Sequence, residues 1–287
     1  MALSASSLLR GRGREVEAYT PRKLRESLYS VFVSSWSEVK IYFRYRASMI
    51  IGLITTPMWV LFFVLNFNLF LPPAYRGLVQ RSLMWSFIFL EMFSEAIWNL
   101  GMSLRRMKEM GIIEHVIATG SLFSTLLGRL SRIITDTIIY GIYMILFFYL
   151  ALGVDISIRS PVLFLISAAM ALASCFGFSS IFSSLSYGRR NVAALINILQ
   201  FPVMIASGII LPAWVLPPQL RIIALISPLT YPFDLMRNAA TGEQTLLDIR
   251  LELFLSLISA IFMMLISKKF IERVERKEMT GEVPGTL

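Results

Sequence analysis

Residues 104–130 decide how the chain is organised, and they read LRRMKEMGIIEHVIATGSLFSTLLGRL between two long apolar runs. The first half is too charged to cross a bilayer. Its charged or ionisable residues are Arg105, Arg106, Lys108, Glu109, Glu114 and His115. Met107, Met110, Ile113 and Ile117 recur at helical spacing, which predicts one apolar stripe on a short amphipathic helix. Such a helix either rests on lipid headgroups or docks a soluble protein, and this stretch alone favours neither.

The composition is that of a membrane protein. The 287 residues are 56% apolar, with a mean hydropathy of +0.69, which is far more apolar surface than a soluble domain of this size uses. Cys175 is the single cysteine and His115 the single histidine, which excludes an intrachain disulfide and predicts no metal site. The formal charge is +9. Because the basic residues flank apolar runs, they indicate an anionic membrane surface and no nucleic-acid partner.

Six apolar runs are long enough, or nearly so, to cross a bilayer core of about 30 Å as helices. They cover residues 48–70, 83–101, 133–152, 161–185, 192–211 and 251–266. A mobile cytoplasmic N-terminus (1–20) and an amphipathic interfacial helix (21–47) precede this six-span domain of residues 48–266, and a cytoplasmic tail (267–287) follows it. The predicted fold is therefore an all-α, polytopic membrane protein with six transmembrane helices.

Basic residues set the orientation of these spans. Of the 27 arginines and lysines, six fall on one side of the predicted bilayer, and the others fall on the opposite side. The six are Arg76, Arg81, Arg159, Arg221, Arg237 and Arg250. The richer side is cytoplasmic by the positive-inside rule, which places both termini and the 104–120 helix in the cytoplasm.

The segment between the fifth and sixth spans, about residues 212–238, is apolar but broken by five prolines. Its longest proline-free helical piece, about 219–226, is too short to cross. Apolar backbone that is not in a spanning helix is tolerated at membrane depth only where protein buries it or a cavity is lined by it. We predict a re-entrant helical hairpin entering from the outer face, with a loop on the outer surface as the alternative.

Polar side chains within the spans are the candidate lining of a transport path, because carboxylates there are costly. Glu91, Glu95 and Asn99 share one face of the second span, and the alternatives are a structural network with Asn66, Arg81 or Asp136, or simply access of water to these side chains. Two local ion pairs are also predicted, Asp136 with Arg132 and Asp234 with Arg237. The full set of path candidates is Glu91, Glu95, Asn99, Asn66, Asn197 and Gln200.

Two motifs carry a resemblance to a known family. KEMGIIEHVIATG covers residues 108–120, and SGIILPAW (207–214) is followed by SPLTYPFDLMRN (227–238). With the order of spans, these make almost the whole chain resemble the membrane subunit of type-2 ATP-binding-cassette exporters. The resemblance identifies 104–120 as the coupling helix. Its expected ATPase-docking residues are Lys108, Glu109, Gly111, Ile112, Glu114, His115 and Thr119, although the family often has proline where this chain has Gly120.

The same resemblance implies an extracellular gate in the hairpin. The residues that match the family motif or flank it are Pro212, Trp214, Pro228, Thr230, Tyr231, Asp234 and Arg237. A phosphate-binding loop needs a Gly-Lys pair, and the sequence has none. We therefore expect that this chain is not itself an enzyme and that it holds no cofactor. The resemblance implies two copies of a soluble ATPase subunit carrying ATP and Mg, a second copy of the permease or a sister permease, and membrane lipid as partners.

The implied function is export of an amphiphilic cargo, a drug-like molecule or a lipid, across a prokaryotic cell membrane. Export of a lipid-linked glycan by the same family is an alternative. An integral-membrane lipid-modifying enzyme and an ion-coupled secondary transporter are alternatives of another class. Co-elution of an ATPase favours the first reading, and autonomous transport favours the last.

Overall fold

The computed structural model describes residues 24–70, 73–119 and 121–280, without the side chains of 24–28, 46–49, 67, 68, 70, 73–75 and 119. The predicted mobile terminus, Gly120 and the end of the predicted tail lie outside these ranges. The helices are α1 (Leu24–Arg44), α2 (Arg46–Phe70), α3 (Pro73–Asn99), α4 (Ser103–Glu109), α5 (Ile113–Thr119), α6 (Leu122–Gly128), α7 (Leu130–Leu152), α8 (Pro161–Leu185), α9 (Val192–Ala206), α10 (Pro218–Ile226), α11 (Thr230–Thr241) and α12 (Ile249–Thr280).

The described residues are all-helical, as predicted, with no strand among them. Within the described ranges, three helical stretches are long and apolar enough to cross a membrane, Leu122–Leu152, Pro161–Leu185 and Ile249–Thr280. Two shorter apolar helical segments are Ile50–Asn66 and Val192–Ala206. Most of the predicted second span, 83–101, lies in α3, which ends at Asn99 and whose mean hydropathy is lowered by Glu91 and Glu95.

The ends of the fifth and sixth predicted spans differ most from the structure. The fifth was expected to reach residue 211, but α9 stops at Ala206 because Gly208 is left-handed (φ +69°) and Ile209 donates back to the Met204 carbonyl over 3.0 Å. This hydrogen-bond pattern closes a helix with a Schellman turn. The last was expected to end at 266, but α12 continues without a break to Thr280.

The centre of the fold is α8, which packs on α12, α11 and α3. Its small residues permit this close packing. A Cβ atom on Gly177 would lie 2.6 Å from the Cβ of Met263 on α12. Ser179, Ser180 and Ser183 are buried along the same helix.

The N-terminal helix α1 lies against α6 and α7. Glu38 forms an ion pair with Arg129 at 3.3 Å. Gly128 permits the contact, because a Cβ atom there would lie 2.3 Å from the Cβ of Ser34. On its other face α1 exposes aromatic side chains, among them Phe32 and Trp36.

The proline-broken segment folds as a helical pair, α10 and α11, after a 3-10 turn at Ala213–Val215. Most of α11 is buried against α8, so protein covers the apolar backbone there. In contrast, α10 exposes Ile222, Ile223 and Ile226.

Candidate functional site

The predicted 104–120 helix is two short helices, α4 and α5, joined by a tight turn. Gly111 adopts φ +67°, and the amides of Gly111 and Ile112 donate to the carbonyls of Lys108 and Met107, each over 3.0 Å. This is again a Schellman turn, which needs a residue in the left-handed region and therefore favours glycine. The prediction of one continuous helix was wrong. The helical spacing of the apolar residues continues past Gly111, although the left-handed backbone of that glycine ends α4.

The turn changes which side chains are exposed. Met107 and Ile113 are buried, at 1% and 3% exposed, as expected of the apolar stripe. Met110 was predicted to share that stripe but is 59% exposed, and Ile112 is 39% exposed. Together with Glu109, Glu114 and His115, which are also exposed, these residues form what we call the docking tip, residues 109–115. An apolar point flanked by carboxylates is thus presented away from the helix bundle.

One predicted docking residue, Lys108, points away from the tip. The ammonium of Lys108 lies 3.4 Å from a carboxylate oxygen of Glu278 on α12 and 4.9 Å from the ring centroid of Tyr187. It is therefore turned toward its own chain. Thr119 ends α5, and its side chain lies outside the described part.

A second group of predicted residues lines a polar cavity of about 180 Å³ between α1, α2, α3 and α7. Glu91, Glu95, Arg132 and Asp136 all line it. Glu95 accepts hydrogen bonds from Asn99 (3.0 Å) and from the Arg132 Nε atom (3.1 Å). The cavity lining therefore contains three carboxylates and one guanidinium.

The predicted Arg132–Asp136 pair is replaced by contacts between helices. Arg132 pairs with Glu95, and Asp136 accepts a 2.7 Å hydrogen bond from the Tyr42 hydroxyl of α1. A pairing rule based on spacing within one helix cannot detect partners that the fold brings in from elsewhere. Of the network partners that the sequence offered, Asp136 lines the same cavity as Glu91, whereas Arg81 pairs with Asp155 at 3.2 Å.

The remaining path candidates do not join this cavity. Gln200 on α9 accepts from the Trp98 indole (2.9 Å) and donates to Ser94 (2.6 Å) on α3. Asn66 donates to the Phe62 carbonyl within α2. Asn197 is exposed on α9. The structure therefore groups Glu91, Glu95 and Asn99 and separates the other three.

The predicted Asp234–Arg237 pair is also replaced. Arg237 is fully buried and donates to the Ser86 hydroxyl on α3 at 2.7 Å and to the Ile209 carbonyl at 2.8 Å. Asp234 accepts from the Leu246 amide at 2.7 Å. The two side chains leave α11 toward different neighbours, so each ties the hairpin to a different part of the fold.

The other predicted gate residues lie on or beside the helical pair. Thr230 is buried, and the Tyr231 hydroxyl donates to the Leu225 carbonyl. The Trp214 carbonyl accepts a 2.5 Å hydrogen bond from Arg221. Pro212 and Pro228 are half-buried at the start of the 3-10 turn and between α10 and α11. These contacts fix the shape of the hairpin.

Sequence reasoning missed the carboxylates of α12. Glu275 and Glu278 reach the segment that carries the docking tip, and Glu252 accepts from the Leu247 amide at 2.9 Å at the other end of the helix. The sequence does contain a pattern that predicts this packed helix. Ser267, Ile271, Val274 and Glu275 recur at helical spacing beyond the last apolar run.

These features define a multi-pass helical membrane protein with a charged tip outside its apolar helices. A family model described as ABC-2 type transporter matches residues 29–240, from α1 to α11. The chain therefore belongs to the ABC-2 type transporter family, as a membrane permease subunit of a type-2 ABC transporter. In such transporters a separate subunit hydrolyses ATP. No curated protein sequence matches this chain.

Proposed function

We propose that this permease exports an amphiphilic cargo, a drug-like molecule or a lipid, from the cytoplasm. We propose further that a soluble ATPase binds the docking tip and moves the permease through it. Two copies of a soluble ATPase bind ATP and Mg and drive the movement. A second permease copy or a sister permease completes the path. The single observation that supports this assignment is the exposed, Gly111-closed tip, which offers Met110 and Ile112 to a partner.

The proposed topology has six spans in a prokaryotic cell membrane, formed by α2, α3, α7, α8, α9 and α12. The docking tip and both termini are cytoplasmic, and α10–α11 enters from the outer face. The distribution of basic residues supports this orientation. With 15 residues, α9 is about 22 Å long, so the residues after it complete the crossing.

The docking tip suits a protein partner better than a lipid surface. Apolar side chains at a rigid turn supply the central contact of an interface. Glu114 beside them would be repelled by anionic headgroups and would favour a partner groove that carries positive charge, whereas Glu109 already pairs with Arg105 at 2.6 Å.

Purification with an affinity tag on the permease tests the docking proposal. We expect the wild-type chain to retain, at about one copy per permease, a protein that hydrolyses ATP. Met110→Asp combined with Ile112→Asp is expected to lose that protein while the permease remains in the membrane. Leu78→Asp, which charges an exposed apolar residue far from the tip, is the control. Equal ATPase retention by the tip variant would contradict the proposal, as would transport by the purified chain alone.

We further propose that Glu91 and Glu95 face the cargo path. Their cavity is smaller than the roughly 300–1,000 Å³ typical of sites for drug-sized ligands, so it would admit a polar or cationic group of the cargo rather than the whole molecule. Glu91→Gln and Glu95→Gln should therefore lower cargo-stimulated ATP hydrolysis. Unchanged stimulation and transport in both variants would exclude this role. Testing drugs, lipids and lipid-linked glycans as stimulating cargo separates the cargo classes.

A further inference from the structure

The last helix of the fold continues well beyond its apolar part. Residues 267–280, which we call the α12 extension, remain helical and add about 21 Å at 1.5 Å per residue. One face of the extension is buried by the rest of the chain, through Ser267, Ile271, Val274 and Glu275. The family match ends at residue 240, so the extension lies outside the matched part.

Glu275 holds the start of α6, which follows the docking tip. Its carboxylate accepts the Leu122 amide and, over 3.3 Å, the Ser121 hydroxyl. The first amides of a helix have no partner within the helix, and a carboxylate placed there satisfies one of them and interacts favourably with the helix dipole. Glu275 is only 5% exposed, so solvent screening of this contact is weak.

Glu278 holds the other side of the tip, one helical turn further along. It accepts hydrogen bonds from the Lys108 ammonium at 3.4 Å and from the Tyr187 hydroxyl. Lys108 lies in the last turn of α4, and Tyr187 lies in the loop between α8 and α9. The extension therefore contacts the chain both before and after the docking tip.

We propose that the α12 extension is a strut that positions the docking tip, with Glu275 and Glu278 as its positioning residues. With seven residues each, α4 and α5 are too short to be stable on their own. A tip made of such helices can transmit force only if the rest of the fold holds it. This inference rests on the proposed docking function, since the strut matters only where a partner pushes on the tip.

Hydrogen exchange of the full chain in detergent tests the strut without any partner. Glu275→Ala removes the acceptor of the Leu122 amide, and we expect at least about tenfold faster exchange in a peptide spanning residues 121–125. Glu275→Gln keeps an acceptor oxygen and should retain most of the protection. Glu272→Ala, on the same helix, is the matched control. Exchange in Glu275→Ala equal to the wild type would overturn the strut.

Charge exchange tests its role in coupling. In the complex with the ATPase, Lys108→Glu and Glu278→Lys should each lower the stimulation of ATP hydrolysis by cargo severalfold. The double variant should recover most of it, which loss of fold would not allow. Full stimulation in both single variants, or no recovery in the double variant, would overturn the role of this pair. If the wild-type chain retains no ATPase, the docking proposal fails instead, and the exchange result still reports on the strut.

Discussion

The Nε atom of Arg132 on α7 lies 3.1 Å from a carboxylate oxygen of Glu95 on α3, and both side chains line the same cavity. About a third of the Arg132 side chain and a fifth of the Glu95 side chain are exposed. The pair is thus intermediate between surface ion pairs, which contribute little, and buried ones, which are costly to break. It fixes the distance between two helices of the bundle beside Glu91.

Arg132→Gln should destabilise the protein more than the loss of one surface pair would. The variant leaves the Glu95 carboxylate with the Asn99 amide but without its cation, and we expect a loss of about 1–2 kcal/mol. Thermal unfolding in detergent measures the effect. Adding Glu95→Gln should recover part of the loss, because it removes the uncompensated charge. A double variant as unstable as the sum of the two single variants would show that the groups do not interact.

Arg237→Lys should destabilise the hairpin although it keeps the charge. The guanidinium reaches Ser86, Gly208 and Ile209 with two nitrogen atoms and lies over the Phe89 ring at 5.4 Å. A lysine ammonium cannot reproduce this planar set of donors, so about 3 kcal/mol of stability should be lost. Arg250→Lys, at an exposed position, is the control in the same unfolding measurement. Equal stability of Arg237→Lys and wild type would contradict this role.

The sequence predicted the helices better than the contacts between them. Apolar length and helical spacing are local properties, so α8 covers the predicted residues 161–185, and helices occur within the segments 21–47 and 212–238. Arg132 and Arg237 each had an acid within one turn, yet the fold offered Glu95 and Ser86 from distant parts of the chain. The α12 extension shows a similar limit, because Glu275 resembles a solvated residue until the segment it contacts is known.

Asp155 should give the protein a small pH dependence in the acid range. Hydrogen bonds from the Ser157 hydroxyl and amide, with help from Arg81, hold the pKa of the Asp155 carboxyl below its usual value. A pKa that is lower in the folded state stabilises the fold above the unfolded pKa, about 3.9, and this stabilisation is lost as the pH falls through the folded pKa. Asp155→Asn should therefore lower the melting temperature at pH 7 but not near pH 2.

The matched comparison for Asp155→Asn is Ser157→Ala, which keeps the Asp155 carboxyl but removes the hydroxyl that donates to it over 2.7 Å. It should lower the melting temperature at pH 7 in the same direction and by less, and the difference from wild type should again disappear near pH 2. A constant difference between Asp155→Asn and wild type from pH 7 to the acid limit would contradict this assignment.

Gly111→Ala should separate the shape of the docking tip from the stability of the fold. A Cβ atom at this position meets nothing within 4 Å, so the cost arises from the left-handed backbone alone, about 1–2 kcal/mol. Since α4 and α5 are short, we expect the turn to reopen locally rather than the protein to unfold. Stimulation of the ATPase should fall severalfold while the melting temperature of the permease changes little. Gly153→Ala is the matched control, because Gly153 is also left-handed with open space around it but caps the end of α7, away from the tip and its supporting contacts. If both variants lower the stimulation of ATP hydrolysis equally, coupling to the ATPase does not depend on the geometry of the tip.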